Sequence, residues 1–349
     1  MSRTIDRRRF LRNLLLLGAG YGILPNVACS PSGQAGPTPA VRLVPTAGPT
    51  STALSSPASV PTAAAVATTG HTVASTVAAG TSQLVVARGS SPEAITRSAI
   101  ETLGGMSRFV KPGAEVIVKP NICAANWSFE YAVTTNPEVV GTIVKLCVEA
   151  GAKRVRVMDF PFSGTAEQAY STSGIGDAVR AAGGQMEVMS SLRFGDVAIP
   201  NGRDLKTWKI YRDAVDPNVV LINVPIAKQS SVVGVTMGMK NLMGLIQDRP
   251  SLHTNIDQRL ADLNTAIRPA LTVVDAVRIL LHDGPTGGSL DVVKKLDTVV
   301  ASGDPVAADS YGATLFGRKG SDLAYIRNGA AMGLGVMDLS QVAIKEVTA

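Results

Sequence analysis

Aromatic side chains make up only 4% of the 349 residues and charged ones 17%, against 45% hydrophobic residues. The apolar share excludes a wholly disordered chain, and the shortage of aromatics and charge argues against a nucleic-acid binder. Cysteine is as scarce: beside Cys29 there are only Cys123 and Cys147, which form no C-x-x-C pair. No cysteine-ligated iron–sulfur cluster or structural zinc is therefore expected within this chain. Other cofactors stay open. After residue 83 the only histidines are His253 and His282, so a two-histidine metal site would need them to converge, and no spacing shows that.

Acidic and aromatic residues are missing altogether from residues 30–83, where Arg42 is the one charge among Ala, Thr, Ser, Pro, Gly and Val. Such a segment buries too little apolar area to offset the entropy of ordering it, and a disordered linker is expected. Before it stands D-R-R-R-F-L-R at residues 6–12, then a short apolar run and small residues. This is the pattern of a secretory leader rather than a spanning helix. It resembles a twin-arginine export signal, with Asp6 where Ser or Thr is usual and Arg12 where Lys is usual. Val27-Ala28-Cys29 resembles a lipoprotein processing site, departing at Asn26 where Leu is expected, which makes Cys29 the candidate lipidation residue.

The expected organisation is a leader over 1–29, a linker over 30–83 and a folded domain over 84–349. The protein is expected to engage the twin-arginine export machinery and to work outside the cytoplasm. Membrane contact is expected only through the leader or a lipid anchor on Cys29 at the outer face. Charge agrees with this division. Five arginines against Asp6 give residues 1–12 a charge of +4, and Arg42 brings the count to +5 of the chain's +6. The pI of 9.3 thus describes the leader, and the domain has no basic surface for nucleic acid or anionic lipid.

From residue 84 onward, short β-branched runs at 84–87, 115–119, 154–159, 219–223, 271–275 and 298–301 alternate with helical stretches at 92–103, 137–150, 176–182, 237–246, 257–267 and 305–316. Repeated alternation predicts an α/β fold with a largely parallel sheet, helices on both faces, and one large domain. The helix from Pro137 is the clearest: Asn136 caps it, Glu138 suits its positive end, and Val139, Ile143 and Cys147 form an apolar stripe. Cys147 reads as a buried small side chain.

Polar residues collect at the predicted strand ends, which border the ligand crevice of an open parallel sheet. Lys119-Pro120-Asn121 follows one strand and Asp159 closes the next; Lys228 ends another, and a Gly-rich turn then opens a helix with Lys240 and Asn241. Lysines and helix-start N–H groups suit an anion, but the spacing is not that of a P-loop. Thr135 and Asn136 at a helix start suit an anion or plain capping. His253 and Asp257 are four apart and could share a helix face as a metal or acid–base pair, while Asn255 or Asp257 could also cap that helix. Asp275 ends an apolar strand; Asp304 caps the helix from Pro305; Asp309 lies within that helix among small side chains that would let it point toward the crevice.

In order along the chain, K-P-N at 119–121, T-N-P at 135–137, M-K-N-L-M-G at 239–244, His253 with D-L at 262–263, V-V-D-A at 273–276, G-P at 284–285 and D-P-V-A-A-D at 304–309 resemble the domain-of-unknown-function 362 family. Residue by residue, the resemblance favours Lys119, Asn121, Asn136, Asp159, Lys228, Lys240, Asn241, His253, Asp275 and Asp309 as site residues. Many relatives carry Lys-x-His where this chain has Lys228-Gln229-Ser230, and some carry a ferredoxin-like cysteine module that this chain lacks. The family brings no settled activity.

The resulting expectation is an exported enzyme acting on a small anionic molecule. His253, Asp159 and Lys240 are its catalytic candidates, and Lys119, Asn121, Thr135, Asn136, Lys228, Asn241, Asp275 and Asp309 its ligand-binding candidates. A tethered extracytoplasmic ligand-binding protein without catalysis is the alternative, and a cell-surface protein without a ligand a third. A metal-dependent version would draw on Asp159, His253, Asp257 and Asp275.

Overall fold

The computed structural model describes residues 82–349; the leader, Cys29 and all but the last two residues of the predicted linker lie outside the described residues. In chain order the strands are β1 (Gln83–Arg88), β2 (Glu115–Pro120), β3 (Arg154–Val157), β4 (Gln185–Met186), β5 (Phe194–Ala198), β6 (Thr207–Tyr211), β7 (Val219–Val224), β8 (Ile226–Ser230), β9 (Gly234–Thr236), β10 (Leu271–Leu280), β11 (Val293–Ser302) and β12 (Ala343–Thr348). The helices are α1 (Pro92–Thr102), α2 (Pro137–Glu149), α3 (Ala166–Thr172), α4 (Ile175–Ala181), α5 (Gly238–Asn241), α6 (Arg249–Leu252), α7 (Ile256–Ala266), α8 (Pro305–Thr314) and α9 (Ala324–Ala331).

Ten strands form one mixed, mostly parallel sheet of order β12-β1-β11-β10-β7-β2-β3-β4, with β8 beside β10 and β9 beside β8. The run β10-β7-β2-β3-β4 is parallel throughout; β11 is antiparallel to both its neighbours, and β1 pairs with β12 in parallel. Alternate residues of a strand point to opposite faces, so each strand supplies two cores. On β2, Ile117 joins one core while Val116 and Val118 join the other. Leu260 of α7, Val306 of α8 and Ile326 of α9 cover the first face, and Ile95 of α1, Ile143 of α2 and Val179 of α4 the second. A sheet buried on both sides is the reason its strands read as continuous apolar runs.

Helix α2 starts as its sequence predicts. Asn136 accepts from the Glu138 amide at 2.9 Å, Pro137 occupies the first turn, and Gly151 at φ 84° follows the end of the helix. Cys147 is fully buried, and burial pushes its thiol up to about 12. Asp304 likewise caps α8 through the Ala307 amide at 2.8 Å.

One predicted helix and one predicted helix-face pair differ. The stretch 237–246 makes one α turn, α5, and then tightens into a 3-10 turn at Leu242–Leu245. Gly244 in that turn lies against β2, where a Cβ would overlap Asp159 Oδ1 and Lys119 Nζ, so the close approach requires glycine. His253 and Asp257 do not share a helix. The chain passes from a 3-10 turn at His253–Asn255 into α7, and Asn255 at φ −141° makes no side-chain cap bond, its amide donating instead to Asp204 at 3.0 Å. Among the described residues no helix is long and apolar enough to cross a membrane.

Candidate functional site

Parallel pairing brings the strand ends together. Lys119 of β2 stands opposite Asn223 of β7 in the register, and Asp159 lies two residues beyond the end of β3. Pro225 separates β7 from β8, which then sets Lys228 opposite Leu280 of β10 and Thr236 of β9. Helix α5 follows β9 directly and carries Lys240 and Asn241 back over these ends.

A continuous polar network results. Lys119 Nζ lies 2.9 Å from Asp159 Oδ1 and donates to Asn241 Oδ1 at 2.9 Å and to the Pro120 carbonyl at 3.0 Å. Asn121 Nδ2 also donates to Asn241 Oδ1, at 3.0 Å, so two donors fix that amide's orientation. Its Nδ2 accordingly faces Asn223 Oδ1 at 2.8 Å, and Asn223 Nδ2 donates to the Gly238 carbonyl at 2.9 Å. Asp159 is held by Lys119 and by the amides of Ile122 at 2.6 Å and Phe160 at 2.8 Å. Burial lowers the Lys119 ammonium from its ordinary value, and the Asp159 carboxylate opposes that shift.

The other lysines have no such carboxylate. Lys228, 1% exposed, donates to Asn121 Oδ1 at 2.9 Å, the Val133 carbonyl at 2.9 Å and the Pro285 carbonyl at 3.2 Å. Lys240, 9% exposed, reaches only the hydroxyls of Ser230 and Thr236, both at 3.3 Å. Among the described residues, no carboxylate lies within ion-pairing distance of either. Burial, reinforced by the Lys228 charge, lowers the Lys240 amine to about 8.

Arg249 and His253 extend this side. The Arg249 guanidinium donates to the Phe160 carbonyl and stacks over the Phe160 ring at 4.8 Å; burial lowers its pKa against the opposing pull of Asp159. His253 Nδ1 lies 2.8 Å from the Arg249 carbonyl, which can only accept, so Nδ1 carries the proton and Nε2 is the basic nitrogen. Burial lowers its pKa, and Lys240 adds to the shift while the Arg249 carbonyl opposes it. Cys123, partly exposed, lies within electrostatic reach of Lys119, Lys240 and Arg249. The assembly can hold an anion among cations and offers one neutral imidazole for proton movement.

Four predicted ligand-binding residues are engaged with the backbone instead. Thr135 Oγ1 donates to the Val224 carbonyl at 2.7 Å and accepts from the Asn121 amide at 2.8 Å. Asn136 caps α2, and its own amide donates to Asp275 Oδ2 at 2.7 Å; the Val277 amide occupies Asp275 Oδ1 at 2.9 Å. Asp309 accepts from the amides of Gly238 at 2.7 Å and Met239 at 3.0 Å, so the N–H groups expected to meet an anion at the start of α5 already face a carboxylate of the protein. Burial raises Asp275 to about 6 and Asp309 to about 7.

Arg249, Cys123 and Asn223 join the cluster without having been singled out from the sequence. The signal for Arg249 was its place four residues before His253. His282 lines a separate depression with Gln229, Phe316 and Arg318. Among the described residues no group of three or more His, Cys, Asp or Glu side chains is arranged to hold a metal ion.

Fold and cluster define an α/β protein with a lysine-rich polar site at the carboxyl ends of parallel strands. The chain belongs to the family described as Domain of unknown function (DUF362), whose model matches residues 116–314. It is 29% identical over 228 residues to the thylakoid-associated protein sll1697 of Synechocystis sp.; the matched stretch covers 61% of this chain and 66% of that relative, just under two thirds of its length. Among solved structures it is similar to a Thermotoga maritima protein (11% identity, 64% of this chain and 59% of that one, TM-score 0.40). It is also similar to the lactate racemase apoprotein of Thermoanaerobacterium thermosaccharolyticum (12% identity, 66% and 56%, TM-score 0.42). Likenesses of this size carry no functional information.

Proposed function

We propose that the protein is an exported enzyme that acts on a small anionic molecule at the strand-end cluster. The observation that carries the reading is charge: among the described residues Lys228 and Lys240, which lie near each other, have no carboxylate in ion-pairing range, and Asp159, the carboxylate near Arg249, already pairs with Lys119. An anion placed against Lys240 and Arg249 would supply the missing negative charge. In this reading Lys240 and Arg249 bind it, Asn121 borders it, Asn241 holds Lys119 and Asn121 in place, and His253 Nε2 takes or returns a proton.

Calorimetric titration of the full chain with oxalate and with inorganic phosphate tests the anion site. Binding is expected to weaken about tenfold or more in Arg249→Met, the usual scale for a charge-assisted contact. Absence of binding by both anions overturns the reading. If a substrate is turned over equally well by a folded His253→Ala variant, His253 is not the proton-moving group; anion binding without turnover of any 2-oxo acid or related small anion makes the tethered binding protein the reading.

Export is part of the same proposal and rests on the arginine pair Arg7 and Arg8 before Phe10 and Leu11. Cys29 is proposed as a lipid anchor at the outer face, and the thylakoid association in the relative's name supports a place beside a membrane. Replacing Arg7 and Arg8 by Lys should leave the protein in the cytoplasmic fraction, and Cys29→Ala should release it from the membrane fraction; unchanged fractionation of both variants would overturn the route.

A further inference from the structure

The three lysines of the cluster are chemically unequal. Lys119 is completely buried and paired with Asp159 at 2.9 Å. Lys228 is almost as buried, and three acceptors, Asn121 Oδ1 and the Val133 and Pro285 carbonyls, face its three N–H bonds. Neither has a direction left in which to meet a ligand. Lys240 has only two contacts, both at 3.3 Å and both to hydroxyls that can donate as well as accept. It keeps partial exposure, has Lys228 as a like-charged neighbour, and has His253 within electrostatic reach.

We propose that Lys240 is a nucleophile that forms an imine with a small anionic carbonyl compound of the 2-oxo-acid class, a proposal that rests on the anion-binding reading above. A lysine that is desolvated and set beside another cation loses its proton readily, which is how an amine becomes a nucleophile at neutral pH. Its lowering to about 8 from an ordinary 10.5 leaves a neutral fraction at pH 7 about three-hundredfold above that of an exposed lysine, since each unit is tenfold. Arg249 makes one hydrogen bond, to the Phe160 carbonyl, and its other N–H groups are suited to the carboxylate of such a compound.

The step balances without a redox partner. The Nζ lone pair adds to the carbonyl carbon, the C–N bond forms, and the C=O π electrons move to oxygen. His253 Nε2 takes one proton from the nitrogen and hands it to that oxygen, giving the neutral carbinolamine. The hydroxyl then leaves as water with a proton drawn from solvent, the nitrogen lone pair closes the C=N bond, and the nitrogen returns its remaining proton to solvent. One amine and one carbonyl become one imine and one water.

The full chain is incubated with glyoxylate or pyruvate and sodium cyanoborohydride at pH 7, and the product is read by intact mass and peptide mapping. One adduct per chain is expected, on the peptide containing Lys240, at about three-hundredfold the initial rate on an exposed lysine such as Lys153. Lys240→Arg, with unchanged circular dichroism, should lose that adduct; mapping of the unaltered chain decides the matter even if this variant does not fold. Adducts spread over exposed lysines overturn the proposal. Oxalate binding without any Lys240 adduct also overturns it and leaves the anion-binding reading standing, whereas loss of both signals removes the two together.

Discussion

Two halves of one buried cluster treat charge differently. On the β3 side, Lys119 is neutralised by Asp159, and Asp159 is held by two backbone amides, so every charge has its opposite. On the β8 and α5 side, Lys228 and Lys240 stand beside each other and meet only neutral oxygens. A paired buried charge stabilises the arrangement around it; an unpaired one costs free energy and persists where something other than folding maintains it. The first half is therefore architecture, fixing β2, β3 and the turn at Gly244, and the second half is where a ligand would be stabilising.

Breaking the paired half should have the largest effect. Asp159→Ala leaves Lys119 buried without its counter-charge and frees the amides of Ile122 and Phe160, so stability measured by urea unfolding should fall by about 3–5 kcal/mol. Gly244→Ala keeps both charges but drives a Cβ into them, and should cost about 1–3 kcal/mol by the same measurement. The unpaired half should respond with the opposite sign. Lys240→Met removes a buried cation that no carboxylate balances, and at pH 7 it should stabilise the fold by about 1–2 kcal/mol, with the two lost hydroxyl contacts offsetting part of the gain. Because the folded value lies below the unfolded one, that gain is present below about pH 8 and disappears above 10.5. A Lys240→Met variant as damaged as Asp159→Ala would erase the distinction.

Much of this was legible because parallel strands align their carboxyl ends: once 115–119, 154–159 and 219–223 read as strands, Lys119, Asp159 and Lys228 had to lie near one edge. Asn136, Pro137 and Gly151 announced α2 because caps act within a few residues. What stayed hidden depends on distant partners. The bond from the Gly238 amide to Asp309 spans 71 positions, so no local pattern shows that this carboxylate also accepts from the first amides of α5. The 3-10 turn after α5 follows from Gly244 meeting β2 and β3, which no local pattern contains. Strand β12 has no fully buried residue at the sheet edge and lacks the apolar run by which the central strands were found. Arg249 was passed over because an arginine before a proline reads as ordinary surface.

The smallest expected effect concerns the carboxylates that hold the cluster from beneath. Asp309 and Asp275 have folded values near 7 and 6, above the ordinary 3.8, so the folded state binds their protons more tightly than the unfolded chain. The stability each contributes is full below about 3.8 and is lost as pH rises through its folded value. Asp309 alone acts between about 6 and 7, at roughly 1.4 kcal/mol per pH unit. Asp309→Asn keeps one acceptor for the Gly238 or Met239 amide and cannot ionise, so its cost should shrink as pH rises from 5 to 8, by about 1 kcal/mol over the last stretch. The lowered His253 contributes an opposite slope below 6.5, but it is present in both proteins and cancels in the difference. Urea midpoints of the two proteins across that range should therefore converge; parallel profiles would mean that Asp309 stays ionised throughout, as a strong cap on two amides rather than a carboxyl strained by burial.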